Sequence, residues 1–459
     1  MSYGTIYLVG AGPGDVELIT FKGYRLICKA DVILHDHLIP SELLGYAKPD
    51  AEIISVGKFA GRHTMPQEQI NELLIEKAKN NEVVVRLKGG DPLLFGRGGE
   101  EAEACVQAGI NFEFVPGVTS ALAAPCYGGI PPTHRNCTSN VAIVTGHRKE
   151  EKEIEIPKAG TIIFLMGVSN IGKIISSLLE AGWPGQTKIA AIEKGTCYDQ
   201  RVIEGTLDDF LEVTRKAQMR TPAVFIVGKV VELKEKLDWF GKKQRILLPG
   251  THPDKYRHLG IIIHRPLIKS MPLDDYTQAD QVIGQLNTFD WIVFTSTNGV
   301  EFFFQRLNAI GLDTRVIGMA KIAAIGKTTA EKLKTFGILP DMQPELESSI
   351  GLLEEFKKVS VKDKRILLVR PKVGSSMLLE GLAEIKANVE AVIVYRNIDI
   401  EPTETDFDFI DQILFTSGST IRAFLKRYGS VPYGIKVYCL GQPTLNEAEK
   451  HNISAELLP

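Results

Sequence analysis

Short apolar runs alternate along the chain with segments whose apolar residues recur at helical spacing. "TIYLVG" (5–10), "DVILHD" (31–36), "AEIISVG" (51–57) and "EVVVRLKGG" (82–90) read as β-strands. Among them, "PQEQINELLIEKAKN" (66–80) opens with proline at a helix start and puts Ile70, Leu73, Leu74 and Ala78 on one face. A second block, roughly 118–240, brings its own strands in "NVAIVTGH", "TIIFLMG", "KIAAIEKG" and "TPAVFIVGKV". Strand and helix in alternation predict an α/β fold throughout. The punctuation "GKKQ", between helix-like "VVELKEKLDWF" and strand-like "RILLPG", places the main boundary. The expected domains are 1–240, with lobes of about 1–117 and 118–240, and 245–459.

The second domain contains an internal echo. "DWIVFTSTNGVEFFFQRL" (290–307) recurs as "DQILFTSGSTIRAFLKRY" (411–428), and "KIAAIGKTTAEKLKTFGI" (321–338) recurs as "KVYCLGQPTLNEAEKHNI" (436–453). Order and spacing both repeat, so two similar α/β lobes are expected rather than a short-period solenoid.

Charge narrows the function class. The 459 residues carry a formal net charge of -3. Residues 1–240 hold 26 Lys+Arg against 30 Asp+Glu, and 241–459 hold 27 against 26. Neither half has the basic excess of a nucleic-acid binder, so no nucleic-acid partner is expected, with a local basic groove left open. With no 18-residue apolar run and no basic-then-apolar leader, neither a membrane span nor a signal peptide is expected. The six cysteines include no CxxC pair, which fits a reducing cytoplasm.

Candidate chemistry starts in "VGAGPGDVELIT" (9–20). Gly10 and Gly12 fit a dinucleotide fingerprint, but its third glycine position holds Asp15, and Pro13 removes a backbone donor. Both changes disfavour a pyrophosphate and leave a loop suited to close approach by a ligand without phosphates. "RLKGGDPLLFGRGGEE" and "FVPGVTSALAAPCYGGIPPTHR" supply two more small-residue loops. Such loops after strands are where open α/β sheets bind ligands. His35 and His37 form a His-x-His pair without further ligands nearby in sequence, so no metal site is expected.

Taken in order, "VGAGPGD…LIT", "GRHTMPQEQIN", "RLKGGDPLLFGRGGEE", "VPGVTSALAAP" and "GIPPTHR" resemble the signature blocks of the uroporphyrinogen-III C-methyltransferases, in the tetrapyrrole methylase family. The resemblance covers almost all of 1–240. It implies S-adenosyl-L-methionine (AdoMet) as methyl donor, precorrin-2 as product and a homodimer through this half. The cofactor positions it implies are Pro13, Gly89, Gly90, Asp91, Leu94, Thr119, Ser120, Met166 and Gly195. Asp91 is equally open to a helix-cap role. Asp36 and Lys58 match the family's candidate base and acid; capping for Asp36 and a hold on a substrate carboxylate for Lys58 stand beside those roles. For a substrate with eight carboxylates, Arg62, His63, Arg97, His134, Arg135 and His147 are candidate recognition residues.

"FTSTNGV", "AAIGKTTAEKL", "ILLVRP", "VIVYRN" and "LFTSGST" resemble the uroporphyrinogen-III synthase family over about 245–459. That resemblance implies a two-lobed fold with one lobe inserted in the other: about 245–268 plus 399–459, and about 269–398. It also implies closure of hydroxymethylbilane to uroporphyrinogen III with inversion of the last ring. Thr295, Ser296, Thr297, Asn298, Thr416, Ser417, Gly418 and Ser419 are candidate carboxylate anchors at helix starts, with Thr328 and Thr444 next in line; N-capping is the rival account. Tyr395 matches the tyrosine proposed to assist loss of the hydroxyl. Two departures, an opening segment "RILLPGTHPDKYRHLG" without the family's arginine and full helix and an ending at "ISAELLP" without its final helix, support an alternative. In it, an active methyltransferase carries a non-catalytic tetrapyrrole-binding half.

Overall fold

A computed structural model describes residues 3–57, 65–146, 154–401 and 405–459 and divides into two compact units, 1–244 and 245–459. In the first unit, β1 (Thr5–Gly10), β2 (Val32–His35), β3 (Glu52–Ser55), β4 (Val83–Lys88) and β5 (Asn111–Val115) form one parallel sheet in the order β3-β2-β4-β1-β5. Alternate residues of the inner strands feed two cores. Ile6, Leu8, Val32, Leu34 and Val84 pack on one face with Ile70, Leu74 and Ala78 of helix Gln67–Asn80. Val9, Ile33, Val85 and Leu87 pack on the other with Leu26 and Ile27 of helix Phe21–Lys29. Burial on both faces is why these strands read as nearly continuous apolar runs.

A second sheet holds β6 (Val141–Thr145), β7 (Thr161–Leu165), β8 (Lys188–Glu193), β9 (Arg201–Thr206) and β10 (Ala223–Val227) in the order β6-β7-β10-β8-β9. Only β6 and β7 run parallel; the other neighbours are antiparallel.

The second unit also has two sheets. β11 (Arg245–Leu248) and β12 (Ile261–His264) come first in the chain. They are followed by β13 (Ile268–Met271), β14 (Trp291–Phe294), β15 (Lys321–Ala324), β16 (Arg365–Pro371) and β17 (Asn388–Asp399), and then by β18 (Gln412–Phe415), β19 (Lys436–Cys439) and β20 (Glu456–Leu457). The sheet orders are β12-β11-β18-β19-β20 and β13-β17-β16-β14-β15. The strands of the second sheet therefore lie, in sequence, between β12 and β18 of the first.

The sequence echo has a structural counterpart. β14, helix Thr297–Ala309, β15 and helix Lys327–Lys334 recur as β18, helix Gly418–Tyr428, β19 and helix Gln442–Lys450. Ser296 and Ser417 occupy matching N-cap positions, as do Gly326 and Gly441. Between β11 and β12 the chain makes a 3-10 helix at Pro253–Leu259. Among the described residues no helix is long and apolar enough to cross a membrane, and no group of three or more His, Cys, Asp or Glu is placed to hold a metal ion.

Candidate active sites in the two halves

The loops after β1, β4 and β5 converge at one end of the first sheet. Gly12 and Gly90 exchange backbone hydrogen bonds, Gly90 N to Gly12 O at 2.8 Å and Gly12 N to Gly90 O at 3.2 Å. Both have positive φ, +78° and +68°. A Cβ built on Gly117 would lie 2.2 Å from Gly90 O and 2.7 Å from Gly10 Cα, so the three loops meet backbone to backbone. Glycine is required there because no side chain fits between the chains.

Asp91 stitches this arrangement together. Its Oδ1 accepts the N–H groups of Leu93 (2.9 Å) and Leu94 (3.1 Å), and its Oδ2 accepts that of Gly117 (3.1 Å). The helix-cap alternative for Asp91 falls: the next helix begins at Gly98, and Arg97 holds its N-cap position. Thr119 caps helix Ser120–Tyr127, accepting from Ala121 N at 3.3 Å. Leu94 is partly buried against the apolar cluster that includes Ala121 and Ile163.

The second sheet contributes the loop after β8. Gly195 lies so close to that helix that a Cβ on it would be 2.4 Å from Ala124 Cβ. Asp15 N donates to Thr196 Oγ1 at 2.9 Å, joining the first glycine loop to this one. The Asp15 carboxylate accepts from Glu17 N (2.9 Å) and from Tyr127 OH (2.7 Å). Burial, then the Asp15 contact, raises the Tyr127 phenol above its ordinary range and keeps it a donor. Met166 follows β7, half-exposed at φ +56°.

Asp36 follows β2, next to β4, and its N–H donates to Leu87 O at 3.0 Å. No helix starts at this residue, so the N-cap reading of Asp36 falls; its carboxylate, about one-third exposed, is paired with Arg86. Behind Arg86 lies a buried group that sequence reasoning missed. Glu101 Oε1 receives Arg86 Nε at 2.9 Å, Lys88 Nζ at 3.0 Å and Gln67 Nε2 at 3.2 Å. Arg86, Lys88 and Glu101 are all at least 97 % buried, being 2 %, 3 % and 0 % exposed. Burial, then the Arg86 charge, pulls the Lys88 ammonium below the ordinary lysine range against the opposing effect of Glu101. The available signal was Arg86 and Lys88 at alternate positions of an otherwise apolar strand. Two cations on one buried face call for a buried anion.

Of the recognition candidates, Arg97 adjoins this cluster, its carbonyl accepting the Glu101 N–H at 3.3 Å at the start of the helix Gly98–Gln107. Arg97, at φ +59°, is paired with Glu100, Nε to Oε1 at 2.8 Å. His134 closes a short turn, its Nδ1 accepting from Asn136 N at 3.3 Å, and Arg135 is exposed. Lys58, Arg62, His63 and His147 lie outside the described residues.

In the second unit, Ser296 Oγ accepts from Gly299 N at 2.9 Å, and Tyr395 OH lies 3.2 Å from the same oxygen. Tyr395 is 4 % exposed and stacks on Phe302 with centroids 5.3 Å apart; burial raises its phenol above the usual range. Thr295 Oγ1 donates to Val369 O (3.3 Å), and Asn298 Nδ2 donates to Ser270 Oγ (2.8 Å). Thr297 is the first residue of its helix. Ser417 Oγ lies 2.8 Å from Ser419 Oγ, while Gly418 and the half-buried Thr416 flank that helix start. Thr328 and Thr444 do not stand at matching positions of the repeat. The repeat sets Thr444 opposite Thr329, both buried, whereas Thr328 is exposed and stands opposite Pro443.

Residues 5–211 match the Tetrapyrrole (Corrin/Porphyrin) Methylases, and residues 255–459 match the family described as Uroporphyrinogen-III synthase HemD. Similarity extends nearly end to end to a porphyrin biosynthesis protein HemD of Ruminiclostridium josui, 35 % identical over 99 % of this chain and 95 % of that protein. The chain belongs to the tetrapyrrole methylase family in its first half and to the uroporphyrinogen-III synthase family in its second. Within the methylases, the first half is 50 % identical to a uroporphyrinogen-III C-methyltransferase of Priestia megaterium, over 50 % of this chain and 98 % of that protein. It is 49 % identical to an S-adenosyl-L-methionine-dependent uroporphyrinogen III methyltransferase of Methanosarcina barkeri, over 51 % of this chain and 94 % of that protein. The chain is thus a fusion of a tetrapyrrole methylase with a synthase-like domain.

Proposed function

We propose that the first half methylates uroporphyrinogen III twice, using AdoMet, to give precorrin-2, and that the second half makes uroporphyrinogen III from hydroxymethylbilane. The observation that carries the methyltransferase reading is the set of converging glycine loops whose carboxylates are already engaged. Asp91 and Asp15 spend their oxygens on N–H and O–H donors of the protein. The remaining candidates, Pro13, Gly89, Gly90, Leu94, Thr119, Ser120, Met166 and Gly195, are uncharged. Such a lining fits a phosphate-free ligand held by backbone groups and close packing, and these residues would hold AdoMet. When bound, AdoMet supplies an electrophilic methyl group on a sulfonium. The chain aligns the acceptor carbon and excludes water. Asp36, beside the β4 loop, takes the proton that the macrocycle must lose, and Arg86 keeps its carboxylate in place.

In the second half, helix starts at Ser296 and Ser417 offer hydroxyls and backbone N–H groups to substrate carboxylates. Catalysis then rests on folding the linear tetrapyrrole, with little demand for a strong acid or base. Tyr395 is buried against Phe302 and hydrogen-bonded at Ser296, so Tyr395→Phe is expected to slow isomer III formation by less than about tenfold, below the roughly hundredfold floor for a lost general acid. A stopped assay of isomer composition measures this.

The test of both activities supplies the purified protein with hydroxymethylbilane and then with AdoMet. Isomer III followed by uptake of two methyl groups is expected. Isomer I alone would leave a non-catalytic synthase-like half; no methyl transfer to supplied uroporphyrinogen III would overturn the methyltransferase.

A further inference from the structure

Four residues close a ring of hydrogen bonds across the two lobes of the first unit. Asp15 N donates to Thr196 Oγ1 (2.9 Å), and Thr196 N donates to Gln200 Oε1 (2.8 Å). Gln200 Nε2 donates to Tyr127 O (3.0 Å), and Tyr127 OH returns to Asp15 Oδ2 (2.7 Å). Asp15 ends the glycine loop of the parallel sheet, Tyr127 ends the helix that Thr119 caps, and Thr196 and Gln200 belong to the turn after β8. The ring therefore ties together three of the segments proposed to hold AdoMet.

Thr196 is the unusual member. It is buried, β-branched and at φ +74°, in the left-handed region that such residues avoid. Lys194, on the other side of Gly195, also has positive φ, +45°. A strained threonine persists where its surroundings hold it, and here each of its polar contacts belongs to the ring. Gly14 explains why the approach is so close: a Cβ there would lie 2.5 Å from Cys197 Sγ and 2.8 Å from Thr196 Oγ1. Tyr127 is braced from behind by Trp239 and Phe240, with ring centroids 5.0 and 4.8 Å away, and Trp239 Nε1 donates to Cys126 O at 3.0 Å.

We infer that Thr196 is a positioning residue that sets the separation between the Pro13 loop and the Gly195 loop, and so the affinity for the methyl donor. This rests on the reading that the first half binds AdoMet. The hydroxyl acts as a spacer and acceptor and takes no part in methyl transfer.

The test uses the full chain, with AdoMet binding measured by calorimetry and methylation by steady-state kinetics. Thr196→Val keeps the shape and removes the acceptor. It is expected to raise the AdoMet dissociation constant and KM about tenfold, the size of one lost hydrogen bond that leaves the partly buried Asp15 N–H unpaired, with kcat at saturating AdoMet within about twofold of wild type. Thr196→Ser keeps the acceptor and should bind like wild type. Gln200→Leu opens the ring from its far side and should reproduce the rise seen for valine. Amide exchange across residues 11–18 should quicken in the valine and leucine variants and not in the serine variant. A valine variant with wild-type affinity, or one whose loop exchanges no faster, overturns the proposal. If wild type itself ignores AdoMet, the cofactor reading fails, and the exchange result still decides whether Thr196 holds the loop.

Discussion

Replacing Asp36 by alanine is expected to lower the rate of methyl transfer by about a thousandfold, in the middle of the range for a lost general base. AdoMet affinity should change little. Asp36 follows β2, whereas the glycine loops follow β1, β4 and β5, and its side chain is joined to Arg86 rather than to those loops. Its backbone N–H, bonded to Leu87 O at 3.0 Å, survives the substitution, so the β4 loop keeps its support. Single-turnover methylation of uroporphyrinogen III, with AdoMet binding measured in parallel, separates the two effects. Asp36→Asn should fall nearly as far, since it keeps the size but cannot take up the proton. Methylation at the wild-type rate in either variant would remove Asp36 from the chemistry.

The sequence was informative where one physical demand dominates. Strands buried on both faces, such as Val83–Lys88 and Thr161–Leu165, announce themselves as apolar runs. Helix Gln67–Asn80 does so by the spacing of Ile70, Leu74 and Ala78. β5 and β9 were not anticipated: each lies at an edge of its sheet and, unlike the edge strands β3 and β6, has a glutamate inside its apolar stretch. In "NFEFV" the half-buried Glu113 and in "RVIEGT" the exposed Glu204 break the apolar run. The glycine loops were legible because close backbone approach leaves only one residue type available. Thr196, Gln200 and Tyr127 were not, because a hydrogen-bonded ring across 181 residues leaves no local periodicity. Asp91 was legible as a candidate by its place in the glycine-rich loop, but three backbone N–H groups from two loops give its carboxylate a stitching role that no spacing rule expresses.

The buried charges behind Asp36 provide the second large effect. Glu101→Met removes the buried carboxylate that bonds to both Arg86 and Lys88 and should destabilise the first unit by about 3–5 kcal/mol, the usual cost of breaking a buried ion pair. At about 2–4 °C per kcal/mol for a unit of this size, its calorimetric transition should fall by roughly 10 °C. Glu101 Oε2, buried without a hydrogen-bond partner, shows that the cluster is not arranged for maximum stability. Well-packed apolar side chains in place of a buried ion triad are often neutral or stabilising. Replacing Arg86, Lys88 and Glu101 all by methionine should therefore recover most of the lost transition temperature. The triple variant should still methylate poorly, because Asp36 has lost the guanidinium that holds it. Recovery of stability together with wild-type methylation would show that the charges serve only the fold. Stability regained without activity would locate their value in the aim of one carboxylate.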